Sequence, residues 1–356
     1  MTNDLCVILN PRSGSAGDDF RQRVETALQN ANAQYEILET TLEIGGKELA
    51  CEAVKNGARH LVACGGDGTV MAVVNGIGQS GLVNAGKEPQ ITLSIVPGGT
   101  ANLLAGALKI PSNVDDAIAT ALEGRDLALD LGTCGSTWFA LGLGLGLTEK
   151  LVSQTSTVEK ERLGKLAYAK AMLGEMGMKP HGFHLKLDDQ PDQLRAGVGV
   201  VIANAGEIGG GFTFAPFARM DDGELDVCVL RRFYFRDVLR LAWRAILGTM
   251  PEDRAVEFYQ ARHVEITCNP PLDLQIDGEE VDKMIPLVAD VVPHAILARV
   301  PAEKAAEAAF EATGEPPAWR QHLPVVRGIL FILMLIGLLF GVIAGVRGVQ
   351  RKRENG

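Results

Sequence analysis

The sequence predicts an α/β domain with a parallel sheet, then a largely antiparallel β-rich domain, and finally a C-terminal transmembrane helix. Three observations support this fold class. Short apolar runs alternate with segments of helical periodicity over the first 127 residues, which is typical of a parallel sheet covered by helices. From Asp130 onward, strand-like and glycine-rich stretches follow one another with few helices between them. The run 328–346 contains no charged residue.

The N-terminal domain is expected to comprise residues 1–127. Its buried strands are predicted at the apolar runs LCVIL, YEILE, HLVAC and ITLSIV. Phe20, Val24 and Leu28, spaced by four residues, predict an amphipathic helix between the first two strands. This strand and helix rhythm indicates that the carboxyl ends of the strands share one sheet edge, where open α/β sheets bind ligands.

The chain after residue 127 is expected to contain a β-rich domain (128–300), a linker (301–324), a transmembrane helix (325–347) and a basic tail (348–356). At about 1.5 Å per residue, the uncharged run nearly spans the ~30 Å hydrocarbon core of a bilayer. We therefore expect a membrane-associated protein, with the two folded domains that precede the run in the cytoplasm. Basic residues on both sides of the run leave the orientation of the helix open.

Composition excludes several classes of protein. A net charge of −10 argues against binding to nucleic acid through bulk electrostatics. With 47% hydrophobic and 22% charged residues, the chain is not disordered as a whole. The 6 cysteines are far apart and form no CxxC pair, which indicates a reducing compartment.

Three glycine-rich turns directly follow predicted parallel strands. They are NPRSG at 10–14, GGDGT at 65–69 and PGGTAN at 97–102. The second and third precede predicted helices, so backbone N–H groups and the helix dipole can hold phosphate oxygens there. Together the turns predict a cleft for nucleotide phosphates. None of them matches the Walker pattern GxxxxGK[ST], which disfavours a P-loop NTPase.

In these motifs the sequence resembles the diacylglycerol kinase catalytic family, which includes sphingosine kinases and bacterial lipid kinases. NPRSG, GGDGTVMAVVNG, PGGTANLLA, the stretch 211–227 and IDGEE at 276–280 occur in the expected order. The resemblance therefore covers about residues 4–300. It implies a two-domain fold with ATP in the cleft between the domains, and transfer of phosphate from ATP to a lipid hydroxyl.

The resemblance also implies roles for individual residues. Glu279 matches the family's proton acceptor, and Asp67 and Asp277 complete the expected catalytic set. A carboxylate beside a triphosphate, as at Asp67, needs Mg²⁺ or a shared proton to offset repulsion. Two plainer readings stay open: Asp67 as a helix cap, and Glu279 in a solvated hairpin turn. The residues expected to line the ATP site are Asn10, Pro11, Arg12, Ser13, Gly14, Thr41, Gly65, Gly66, Asp67, Gly68, Thr69, Val70, Met71 and Thr100.

A structural Mg²⁺ is implied at Asp222, with the backbone carbonyls of Arg219 and Glu224 as further ligands and Asp130 nearby. Oxygen ligands of this kind suit Mg²⁺, whereas the plainer alternative for this segment is a hairpin turn. One position departs from the family pattern. Several relatives carry Asp after the Asn of the third turn, and here Leu103 removes that carboxylate.

Residues 233–250 place Phe235, Leu239 and Trp243 at four-residue spacing beside arginines. This pattern predicts an interfacial helix on anionic lipid, with an ordinary surface helix as the alternative. The basic stretch 155–176 has the same two readings. Expected partners are a lipid alcohol in the membrane and the membrane itself, through the C-terminal helix and helix 233–250, but no nucleic acid. A homodimer is left open.

The leading hypothesis is an ATP- and Mg²⁺-dependent lipid kinase that phosphorylates diacylglycerol or a similar lipid alcohol. One alternative is an NAD kinase-like enzyme, since NAD kinases share GGDGT. The other is a non-catalytic, membrane-tethered, nucleotide-binding regulator, which Leu103 motivates.

Overall fold

The computed structural model describes residues 5–13, 19–83, 86–146, 179–206, 215, 218–232 and 254–303. Its helices are α1 (Asp19–Asn30), α2 (Gly46–Lys55), α3 (Asp67–Gln79), α4 (Leu103–Ala107) and α5 (Val114–Glu123). Its strands are β1 (Leu5–Leu9), β2 (Tyr35–Glu39), β3 (His60–Gly65), β4 (Thr92–Pro97), β5 (Arg125–Cys134), β6 (Thr137–Phe139), β7 (Gly142–Gly146), β8 (His181–Leu187), β9 (Gln193–Gly197), β10 (Gly199–Ala203), β11 (Leu225–Leu230), β12 (Val256–Ala261), β13 (His263–Cys268), β14 (Leu274–Ile276), β15 (Glu279–Val281) and β16 (Leu287–Val300).

The N-terminal part is a parallel sheet in the order β2-β1-β3-β4, flanked by helices. Strand β1 is buried along its whole length, as expected for a strand covered on both faces. Helix α1 buries Phe20, Val24 and Leu28 on one face, and α5 is capped by Asn113, whose side chain accepts a hydrogen bond from Asp116 N. All four strands end at the same edge, and that edge carries the candidate site.

The parallel sheet continues without a break into the C-terminal half of the chain. β16 lies parallel to β4, with Leu297 opposite Thr92, and β13, β8 and β9 extend the sheet beyond it in antiparallel order. β5 pairs with β16, and β6 pairs with β5. The expected domain boundary between residues 127 and 128 therefore falls inside β5, a strand of this 10-stranded sheet.

A second sheet of six antiparallel strands has the order β12-β11-β10-β7-β14-β15. Its inner face packs against the antiparallel part of the large sheet. Phe139, Phe183 and Val264 from the large sheet share one buried cluster with Leu145 and Val227 from the small one. This apolar layer fixes the hairpin β14–β15 relative to the parallel strands.

The prediction of a C-terminal transmembrane helix is wrong for this structure: among the described residues, every helix is too short or too polar to span a bilayer. The longest of them, α3, has 13 residues. It reaches about 20 Å, which is less than the ~30 Å hydrocarbon core. Several predicted features lie outside the described residues, namely helix 325–347, the tail 348–356, most of the linker 301–324, and the basic stretches 155–176 and 233–250.

Candidate active site

The first two glycine-rich turns are joined by hydrogen bonds from one asparagine. Asn10 follows β1, and its backbone N–H donates to Cys64 O at 3.0 Å. Its side-chain Nδ2 donates to Thr69 Oγ1 at 3.2 Å. Asn10 Oδ1 accepts the backbone N–H of Arg12 at 3.0 Å, which closes the first turn. The turns after β1 and β3 therefore form one surface.

The second and third turns are in direct backbone contact. Gly98 N donates to Gly65 O at 2.7 Å. A Cβ at Gly99 would lie 2.6 Å from Gly66 Cα, closer than real Cβ atoms approach, so the turns meet only because both residues are glycines. Gly66 is the N-cap of α3 and has no side-chain cap. The N-terminal N–H groups of α3 therefore face the shared edge, as anion sites at helix N-termini require.

Asp67 connects the second turn to the helix that follows the third. Its Oδ1 accepts the backbone N–H of Leu103 at 2.5 Å, so the carboxylate caps α4 rather than its own helix α3. Burial raises the pKa of Asp67, although bonds from backbone N–H groups oppose the shift. Asn102, with φ 47°, closes the third turn by accepting from Gly99 N at 2.9 Å and donating to Gly99 O at 2.7 Å.

Thr41 organises the turn between β2 and α2. Its Oγ1 accepts the backbone N–H groups of Glu43 at 3.2 Å and Ile44 at 3.0 Å. The turn leaves Leu42 78% exposed and Ile44 47% exposed at the carboxyl edge of the sheet. Two large apolar side chains are thus held in solvent beside the turns already described.

The hairpin β14–β15 brings Glu279 to the second turn. Asp277 and Gly278, with φ 48° and 88°, form a two-residue turn of the kind that matches strand twist, and Ile276 pairs with Glu279 across it. Glu279 is exposed. A Cβ placed on Gly68 would lie 3.7 Å from Glu279 Oε1, so this carboxylate stands directly over the GGDGT turn.

Asp277 is buried below the hairpin and binds backbone amides. Its Oδ2 accepts Ala140 N at 2.8 Å, and its Oδ1 accepts Leu141 N at 2.8 Å and Gly142 N at 2.9 Å. Burial raises the pKa of Asp277 to about 6; the three N–H bonds lower it, and the negative charge of Asp67 adds to the rise. Both carboxylate oxygens are engaged in holding residues 140–142.

The turn expected to bind a structural Mg²⁺ lies beside the buried Asp130. Asp130 Oδ2 accepts Gly223 N at 2.6 Å, and Oδ1 accepts His294 N at 2.7 Å. Asp222 is exposed, and its Oδ1 accepts Glu224 N at 3.1 Å. Burial raises the pKa of Asp130, and partial burial together with the negative charges of Asp130 and Glu224 raises the pKa of Asp222. Asp130 thus supports the turn from below, and Asp222 presents its carboxylate to solvent.

Negative charge is concentrated around this turn. Burial, followed by the charge of Asp222, raises the pKa of Asp226 to about 6. Among the described residues, Asp226 Oδ2 is buried with no hydrogen-bond partner. Arg219 pairs with Asp221 through two bonds of 2.9 and 3.1 Å. The described residues contain no cluster of three metal-binding side chains, so a cation here would need carboxylate and carbonyl oxygens together, a donor set that fits Mg²⁺.

Most of the expected site residues lie at the carboxyl edge of the parallel sheet. Others are buried or lie outside the described residues. Val70 and Met71 are buried in α3, so only their backbone is available to a ligand. Thr100 is exposed in the third turn, and Gly14 lies outside the described residues. Sequence reasoning missed Asn102 and also Asn204, whose bonds are described below. The only signal for Asn204 is a polar residue that ends the apolar run GVVIA.

Comparison with known families divides the chain into two matched parts. Residues 4–134 match the diacylglycerol kinase catalytic domain. Residues 146–299 match the YegS C-terminal NAD kinase beta sandwich-like domain. The first part includes all three glycine-rich turns, and the second includes the hairpin with Glu279 and the turn with Asp222.

Individual proteins give the same result. A protein of Chromohalobacter salexigens named a YegS-like lipid kinase is 32% identical over 78% of this chain and 86% of its own length. A diacylglycerol kinase of Bacillus subtilis is 28% identical over 77% of this chain and 88% of its own. The crystal structure of a diacylglycerol kinase from Bacillus anthracis superposes with a TM-score of 0.67 at 21% identity, covering 84% of this chain and 97% of that one. At that identity the likeness concerns the fold alone.

Proposed function

Because the chain belongs to the diacylglycerol kinase catalytic-domain family of lipid kinases, we propose that it transfers the γ-phosphate of ATP to the hydroxyl of diacylglycerol or a similar lipid alcohol. One observation carries this proposal. The carboxylate of Glu279, from the second sheet, stands over Gly68 in the turn that begins α3. This proximity supports Glu279 as the proton acceptor and the turn beneath it as the phosphate-binding turn.

The phosphates of ATP are proposed to bind the turns after β1, β3 and β4. The N-terminus of α3 supplies N–H groups and a positive dipole end. Two strand spacings, about 10 Å, separate the ends of β3 and β2, which suits an extended nucleotide. The adenine ring of ATP then reaches the Thr41 turn, where the side chains of Leu42 and Ile44 offer it apolar contact.

Glu279 is the proposed general base. It takes the proton from the lipid hydroxyl as that oxygen bonds to the γ-phosphorus, and the bond from phosphorus to the bridging oxygen of ADP breaks. The products are the lipid phosphate, ADP and a protonated Glu279, which releases its proton to water. A positioned base of this kind contributes about 10²–10⁴-fold to the rate. Direct transfer needs no covalent intermediate on the protein.

A structural Mg²⁺ is proposed to bind the carboxylate of Asp222 and the backbone carbonyls of Arg219 and Glu224. Asp130 supports this turn. A cation bound there would supply positive charge near Asp226 Oδ2, which is buried and has no hydrogen-bond partner among the described residues. The proposed role of Asp67 is structural. Its carboxylate accepts the backbone N–H of Leu103 and so joins the second turn to the third.

The proposal is tested with radiolabelled ATP, MgCl₂ and the purified full chain. Diacylglycerol, sphingosine and ceramide are offered separately in mixed micelles, and NAD⁺ is offered in solution. Labelled phosphatidic acid is the expected product. Label appearing only in NADP⁺ would favour an NAD kinase-like enzyme. ATP binding with no labelled product from any acceptor would favour a non-catalytic regulator.

A further inference from the structure

Residues 140–142, the crossover segment, lead from β6 in the large sheet to β7 in the small sheet. All three N–H groups of this segment donate to Asp277. Its carbonyls are held as well. Ala140 O accepts Asn204 Nδ2 at 2.8 Å, Leu141 O accepts Asn204 N at 2.9 Å, and Gly142 O accepts Asp277 N at 2.9 Å. Asp277 and Asn204 therefore hold the crossover segment from two sides.

Asn204 directly follows β10 and has no exposed surface. Its Nδ2 also donates to Asp130 O at 2.9 Å, so both amide hydrogens are used. In the part of the chain that the structure describes, no donor reaches Asn204 Oδ1, which is buried. A buried, unpaired oxygen costs about 1–3 kcal/mol. Both N–H donors of the Asn204 side chain are therefore bonded, whereas its acceptor oxygen has no donor among the described residues.

We propose that Asn204 is a positioning residue for Glu279. Asn204 fixes the carbonyl side of the crossover segment, and the N–H side of that segment fixes Asp277. Asp277 opens the two-residue turn that ends at Glu279, so the path from Asn204 to the carboxylate consists of hydrogen bonds and one rigid turn. Displacement of a reacting group by about 1 Å costs roughly 10²-fold in rate. This inference rests on the proposed function, in which Glu279 is the base.

The test compares Asn204→Ala with the wild-type full chain. The matched control is Ser94→Ala: Ser94 is also buried and bonds to His60 Nε2 at 2.8 Å, but it lies in β4 of the large sheet, whereas the hairpin belongs to the small sheet. Steady-state rates are measured with ATP and diacylglycerol micelles. Hydrogen exchange is measured for peptides covering 140–146, 274–281 and 65–71.

Asn204→Ala is expected to lower kcat by about 10–100-fold while the KM for ATP stays within about twofold, because the glycine-rich turns do not depend on Asn204. Exchange is expected to rise at 140–146 and 274–281 and to stay unchanged at 65–71. Ser94→Ala is expected to change neither kcat nor exchange at the hairpin.

A kcat within about twofold of wild type, or unchanged exchange at 274–281, would overturn the inference. So would a uniform rise of exchange through all strands, because that result marks a purely structural role. If wild-type protein phosphorylates no acceptor, the proposed function fails, and the exchange data alone still decide whether Asn204 fixes the hairpin. If Asn204→Ala does not fold, Asn204→Ser, which keeps one donor, is expected to show an intermediate rise in exchange, and its absence would contradict the proposal.

Discussion

Two acidic regions of the C-terminal half, the hairpin β14–β15 and the turn 219–226, differ in how completely their carboxylate oxygens are hydrogen-bonded. In the hairpin region, both oxygens of Asp277 accept backbone N–H groups. In the acidic turn, residues 219–226, Asp226 Oδ2 is buried with no partner among the described residues. Burial raises the pKa of Asp277 and of Asp226 alike, to about 6.

The difference shows that burial alone does not decide whether the protein itself satisfies a carboxylate. Both oxygens of Asp277 are bonded by backbone N–H groups, and Asp277 is proposed to position the turn that carries Glu279. In the acidic turn one carboxylate oxygen, Asp226 Oδ2, has no donor among the described residues, while Arg219 is paired with Asp221. We expect the stability of the hairpin region to depend on its own residues. We expect the acidic turn to be stabilised by an added cation.

The largest expected effect on stability comes from Asp277→Ala. This change leaves three buried N–H groups unpaired, each at a cost of about 1–3 kcal/mol, so the free energy of unfolding should fall by roughly 3–9 kcal/mol. Urea unfolding measures the loss. Asp192→Asn is the control, because Asp192 is an exposed partner of His184 and its replacement should cost under about 1 kcal/mol. A similar small loss for Asp277→Ala would remove the contrast between the two regions.

Gly99→Ala should break the contact between the second and third turns. The new Cβ would lie 2.6 Å from Gly66 Cα, so we expect a loss of about 1–3 kcal/mol in stability and a clear rise in the KM for ATP. Gly106→Ala is the matched control, since no atom lies within 4 Å of a Cβ there. In the helix α4 it should be neutral or stabilising by about 0.5–1 kcal/mol. Equal behaviour of the two variants would refute the close approach.

The acidic turn should respond to Mg²⁺. At concentrations well above Kd, a ligand that binds only the folded state stabilises it by about 1–3 kcal/mol. The expected result is a higher Tm with MgCl₂ than with NaCl of equal ionic strength, and loss of this difference in Asp222→Asn. A Tm difference that survives in Asp222→Asn would show that Mg²⁺ binds elsewhere.

The smallest effect concerns pH. The folded-state pKa of Asp226, about 6, lies above the ordinary value of 3.8, so between these values the folded protein holds a proton that the unfolded chain has lost. Stability without Mg²⁺ should therefore fall as pH rises from about 4 to 6 and stay level above 6. Asp226→Asn should remove the part of this fall that Asp226 contributes. Urea unfolding in EDTA across this pH range measures the slope, and an unchanged slope would count against the buried charge.

The sequence was sufficient to predict that the turns after β1, β3 and β4 share an edge, because parallel strands in one sheet end on one side. It did not show that Asp67 caps α4, since that bond joins residues 36 positions apart. The hydrogen bond from Ala140 N to Asp277 joins residues 137 positions apart. The Asp-Gly dipeptide at 277–278 predicts a hairpin turn but not the segment beneath it. Such contacts depend on how the two sheets pack.

One prediction, the transmembrane helix, is wrong, and the predicted domain boundary lies within a strand. The expected domain boundary fell within β5 because β16, from the end of the described chain, inserts beside β4 and continues the sheet. The transmembrane helix was predicted from hydropathy in 328–346 alone, and the described helices include none that can span a bilayer. Local pattern identified the glycine-rich turns well, because their chemistry is contained within a few residues.

Glu279 is the group proposed to take the proton of the lipid hydroxyl over the GGDGT turn. Its most direct test is the initial rate of Glu279→Gln with ATP and diacylglycerol micelles, together with ATP binding by calorimetry. Glutamine keeps the shape of the side chain and cannot accept the proton, so kcat should fall by about 10²–10⁴-fold, with the Kd for ATP within about twofold of wild type. A rate within a few-fold of wild type would contradict the account.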